Sequence, residues 1–110
     1  MSDQLGRVFA ALADPTRRLV VETLLRDGST SVPALSASLP ITRQAVAKHV
    51  AILDGAGLIE RSPGAGREVS YHLRERALEP AAAWLRDAEA AWDARLARLR
   101  EAVERRREPA

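Results

Sequence analysis

The sequence predicts a mainly α fold carrying one small β-hairpin, and three of its features lead there. Asp14-Pro15 and Ser31-Val32-Pro33 each set a capping side chain just ahead of a proline, whose missing N–H costs nothing in a first helical turn. From Leu58 to Leu73 the apolar period shortens from helical spacing to alternation. The composition is 46% apolar with only four aromatic residues, so the core must be aliphatic and alanine-rich, which favours helices. A length of 110 residues is one domain's worth of chain, with enough apolar content to exclude disorder.

Taken in order, Leu5, Val8, Phe9 and Leu12 recur at helical spacing and predict a first helix over about Asp3 to Ala13. Asp14 caps a second helix running to about Arg26, with Leu19, Val20, Thr23 and Leu24 on one face and Gly28 placed to end it. Ser31 caps a short third helix to about Leu39, which Pro40-Ile41 breaks. Thr42 caps a fourth, whose buried face is Val46, Val50 and Leu53 and which Gly55 and Gly57 stop. A short helix, a tight break and a longer helix within some 25 residues form a helix-turn-helix.

Leu58 to Ser62 then reads as a strand, Pro63-Gly64-Ala65-Gly66 as a turn and Arg67 to Leu73 as the return strand, with Val69, Tyr71 and Leu73 on one face. A hairpin in this position is a wing. The remainder, about residues 75 to 107, is helical, with Pro80 inside its first turn or kinking it. Leu85, Ala88, Trp92, Leu96, Leu99 and Val103 follow at spacings of three, four, four, three and four, an unbroken apolar stripe. A single small domain has limited core to offer so long a stripe, so a second copy of the chain is its natural partner.

Several function classes fall away on composition. Zero cysteines exclude a disulfide framework, a thiolate nucleophile and thiolate metal sites. No window approaches a membrane span and the start lacks a signal-peptide pattern, so a soluble cytoplasmic protein with no membrane partner is expected. Ser29, Ser31, Ser36 and Ser38 lack a His-acid partner in a recognisable pattern, and Gly64-Ala65-Gly66 is a turn and not a phosphate loop; the expectation is not an enzyme, with no cofactor. Net charge is only +2, yet between Asp27 and Asp54 no carboxylate occurs while Arg43, Lys48 and His49 do. Such a surface suits a polyanion.

Four segments together resemble the ArsR-type winged-helix transcriptional regulators: Ala11 through Asp14-Pro15-Thr16-Arg17-Arg18 to Leu19, Ser31-Val32-Pro33-Ala34-Leu35, Ile41-Thr42-Arg43-Gln44-Ala45-Val46-Ala47-Lys48-His49-Val50, and Leu53 through Gly57-Leu58-Ile59. The resemblance covers about residues 5 to 100. It implies a single winged-helix domain over 1–110 that acts as a homodimeric repressor on a double-stranded, roughly palindromic DNA operator. Its dimer interface would be formed by Leu5, Val8 and Phe9 of the first helix with Leu85, Ala88, Trp92, Leu96, Leu99 and Val103 of the last. Metal-sensing members carry a Cys pair beside the third helix or Asp and His residues on the last helix. This chain has no Cys and no His after residue 75, so no metal site is expected and the inducer stays unknown. The alternatives are a metal-responsive regulator with an unconventional oxygen and nitrogen site, or an interaction module that has lost DNA binding.

Within the helix-turn-helix, Arg43 and Gln44 are long enough to reach base edges, with Lys48 beside them; the competing reading is an ordinary solvated helix face. Thr42 suits both a cap and a phosphate donor. His49 sits where the family's motif places a histidine, either facing DNA, where protonation would strengthen binding, or hydrogen-bonded inside the domain. Arg61 and Arg67 flank the wing turn, where they meet the minor groove or merely keep a small sheet soluble. Of Arg17 and Arg18, one is expected in a structural ion pair and the other at phosphate. Trp84 and Trp92 are expected in core or dimer packing, the minority reading being an inducer pocket beside Trp84.

Overall fold

The computed structural model describes residues 3–63 and 68–108. The chain folds as two compact units, residues 1–78 and 79–110. The first contains α1 (Asp3–Leu12), α2 (Pro15–Asp27), β1 (Thr30–Ser31), α3 (Val32–Ser38), α4 (Arg43–Gly55), β2 (Ile59–Arg61) and β3 (Ser70–Leu73). The second is α5 (Glu79–Arg107).

Local chemistry sets the helix starts as expected. The side chains of Asp14, Ser31 and Thr42 accept hydrogen bonds from the backbone N–H groups of Arg17, Ala34 and Ala45 at 3.0, 3.2 and 3.1 Å. Gly28 closes α2 with φ at 85°, its N–H reaching the Leu24 carbonyl. α4 continues through Gly55, and the positive φ falls on Gly57 instead. The core of the first unit gathers Val20, Leu35, Val46, Leu53, Leu58 and Ile59, each nearly free of solvent.

Three differences from the sequence reading have physical causes. The wing is a three-stranded antiparallel sheet ordered β1-β3-β2, in which Thr30 faces Tyr71 and Glu60 faces His72. β1 has two residues, too short for any periodic signal, and exists because β3 offers it a free edge. On α2 the buried residues are Val20, Val21 and Leu24, while Leu19 lies out in solvent. Val8, assigned above to the dimer interface, is 4% exposed in the core of its own unit and has no surface left for a partner; Leu5 and Phe9 are half-buried.

α5 begins at Glu79, after a turn in which Arg76 takes a φ of 59°, and Pro80 is accommodated in its first turn. Its charges complement the helix dipole, Glu79 opening it and Arg105, Arg106 and Arg107 closing it. Trp84, Leu85, Trp92, Leu99 and Val103 are about half exposed along it. Among the described residues no helix is long and apolar enough to cross a membrane.

Candidate nucleic-acid interface

α4 buries one stripe, Val46, Val50 and Leu53, against the core. Its opposite face therefore points outward, and on it stand Arg43, Gln44, Ala47, Lys48 and Ala51, all exposed. The hydroxyl oxygen of Thr42 is taken up in capping, which leaves its hydrogen free to donate outward. No carboxylate occurs on α4 before Asp54 in its last turn. The exposed beginning of α4 thus combines two long donors, one ammonium, a positive helix end and two methyl groups small enough to let a groove wall approach. Ala47 and Ala51 belong to this face by position; a search for long polar side chains passes over them.

On the wing, Arg61 is exposed at the end of β2 and sits across from Tyr71. Arg67 lies outside the described residues. Glu60, the neighbour of Arg61 on the opposite face of β2, is held by a cross-strand chain: His72 Nε2 is 3.1 Å from Glu60 Oε1, Ser62 Oγ is 2.9 Å from His72 Nδ1, and Arg74 lies 3.7 Å from Glu60 Oε2. Glu60 is thereby engaged locally, on the other side of the strand from Arg61.

His49 is directed inward. Its side chain is 22% exposed, with Nδ1 3.3 Å from an Arg17 terminal nitrogen and 3.8 Å from Asp14 Oδ2. A guanidinium has only hydrogens to offer, so in this contact Arg17 donates and Nδ1 accepts. The structure thus gives His49 the internal hydrogen bond weighed above against DNA contact. The same Arg17 donates to the carbonyls of Ala11 and Ala10 at 2.7 and 3.2 Å, and Arg18 donates to Leu12 at 2.8 Å. Both arginines therefore cap the C-terminus of α1, which has no basic residue of its own there. Asp14 is pulled below the ordinary carboxyl range, first by the Arg17 backbone N–H and then by the Arg17 charge.

Comparison with known proteins bears on this arrangement. A helix-turn-helix domain model matches residues 12–62, the stretch from the end of α1 through β2. The HTH-type transcriptional regulator YuzN of Bacillus subtilis is 37% identical over 65 residues, covering 54% of this chain and 71% of that one. An ArsR-like transcriptional regulator from Rhodococcus sp. RHA1 superposes with a TM-score of 0.77 at 38% identity, over 90% of this chain and 92% of the other. The chain belongs to the ArsR family of winged helix-turn-helix regulators. The HTH-type regulator Rv2034 of Mycobacterium tuberculosis is likewise 42% identical over 67 residues, a match spanning 61% of each chain. As an ArsR-family protein the chain is a DNA-binding transcriptional regulator.

Proposed function

We propose that this ArsR-family regulator is a repressor that binds, as a homodimer, a roughly palindromic operator. The observation that carries the reading is the outer face of α4, where Arg43, Gln44 and Lys48 stand exposed in the first two turns with no carboxylate among them. Arg43 and Gln44 suit guanine and adenine edges in the major groove, Lys48 and Thr42 suit phosphate, and Arg61 and Arg67 suit the backbone or minor groove beside it. The half-exposed stripe of Leu85, Trp92, Leu99 and Val103 on α5 supports self-association. Two-fold symmetry would set half-sites about ten base pairs, or a multiple of that, apart.

The test is a fluorescence-anisotropy titration of the full chain against a fragment of its own promoter and against random DNA of equal length at matched salt. The reading expects tighter binding to the promoter by a factor of at least about 1,000. Equal affinities would remove operator recognition.

A further inference from the structure

The first unit holds a cavity that the proposed DNA-facing surface does not use. It is a groove open to solvent, measures about 340 Å³ and lies between α1 and the second half of α4. Its lining includes Ala10 and Ala11 on one side, Ile52, Gly55 and Ala56 on the other, and the guanidinium-bearing side chains Arg7 and Arg17. No carboxylate lines it. The volume lies at the small end of ligand sites, and the lining has their usual make-up, apolar walls with a few fixed polar groups.

Three further observations bear on what fits there. Ile52 lines the cavity and is 46% exposed, an apolar side chain that the chain leaves about half open to solvent. Gly55 has no steric reason to be glycine: its φ is not positive, and a Cβ built on it meets nothing within 4 Å. Gly55 is the last residue of α4, and the lack of a side chain there leaves the space open. Arg17 uses three of its five N–H groups on Ala10, Ala11 and His49, so two donors remain. Arg7 is exposed and makes no ion pair among the described residues.

We infer that this cavity is an effector site for a small monocarboxylate with a compact apolar body. The carboxylate would be received by Arg7 and Arg17, and the body would cover Ile52 above Gly55. Guanidinium forks match carboxylates in shape and charge, which selects this class over a neutral apolar molecule. Asp14 accepts the backbone N–H of Arg17 and partly offsets its charge, which makes the unpaired Arg7 the stronger attraction.

The site is wired to the DNA face through one side chain. Arg17 touches the cavity and donates to His49 of α4. A carboxylate drawing the guanidinium toward the cavity competes with that bond and loosens α4 from the start of α2. Ligand and operator then oppose each other, and by linkage each weakens the other's binding by the same factor. This regulatory half rests on the DNA-binding reading above; the binding half does not.

The experiment therefore has two arms. In the first, without DNA, benzoate and its neutral isostere benzamide are titrated into the full chain while methyl signals of Ile52, Ala10 and Ala56 are followed by NMR. Benzoate is expected to shift these signals saturably and benzamide at least tenfold more weakly. Arg7→Gln should weaken benzoate at least tenfold, and Gly55→Leu should abolish its effect while keeping the circular dichroism spectrum and thermal transition. Equal response to both compounds, or an unchanged response in Gly55→Leu, overturns the site. Signals that move on protein dilution and not with benzoate would make the groove a contact between copies of the chain, which also overturns it. In the second arm, saturating benzoate should weaken promoter binding several-fold in the wild type and leave Gly55→Leu unaffected. Benzoate binding with unchanged promoter affinity overturns the coupling; absence of promoter preference in the ligand-free wild type counts against the operator reading and leaves the first arm to decide the site.

Discussion

Asp14 shows how one side chain serves two neighbours. Its carboxylate caps α2 through the Arg17 N–H and, by the charge of Arg17, steadies the guanidinium that reaches His49 of α4. Its carboxyl is held below the ordinary value in the folded chain, so this stabilisation is complete above the unfolded value and disappears as pH falls through the folded one. Asp14→Asn keeps a capping oxygen and removes the charge. Denaturant unfolding should show it less stable than wild type at neutral pH, with the gap closing below about pH 4; a gap that survived in acid would have another source. On the face of α4 proposed to meet DNA, Arg43→Ala should lower the ratio of promoter to random binding by about 1–3 kcal/mol. Lys48→Ala should weaken both alike and reduce the slope of log K against log salt by about 0.9. Arg43 and Lys48 are legible in the sequence because the helix period alone decides which face they share. The partner of His49 is not, since Arg17 stands 32 residues away and meets it only when α1, α2 and α4 pack.

The helices announce themselves because their caps are local, a side chain and a backbone N–H three residues apart. The same holds for the glycine after α2. Gly57 differs, since besides its φ of 77° an added Cβ would sit 2.6 Å from Gln4 Nε2, which donates to the Ala56 carbonyl. Gly28→Ala should therefore cost about 1 kcal/mol from backbone strain alone. Gly57→Ala should cost up to about 1 kcal/mol more by displacing that hydrogen bond, read from urea midpoints; equal losses would show that Gln4 contributes nothing. The elements that escaped prediction are those whose reason is tertiary. β1 pairs only because β3 lies beside it, and the burial of Val21 in place of Leu19 depends on where α2 sits against the other helices, which its own apolar spacing leaves open.

At the scale of the whole chain, charge and apolar surface are segregated. The stretch from Gly28 to Leu53 lacks carboxylates, while α5 intersperses acidic and basic residues around its apolar stripe. For the proposed dimer, Leu99→Asp should convert the protein to monomer in sedimentation equilibrium with helix content preserved, and a persisting dimer would move the interface elsewhere. The stripe was legible from spacing alone; the cavity between α1 and α4 was not, because it is defined by what two separate helices leave unfilled. The capping of α1 by Arg17 and Arg18 carries one more consequence. A helix whose last carbonyls are held by the following helix has no independent end to fray, so α1 and the first turn of α2 open together or not at all. In native-state hydrogen exchange, amides late in α1 should exchange with the same opening free energy as those early in α2, making the N-terminal helix part of one cooperative folding unit with α2.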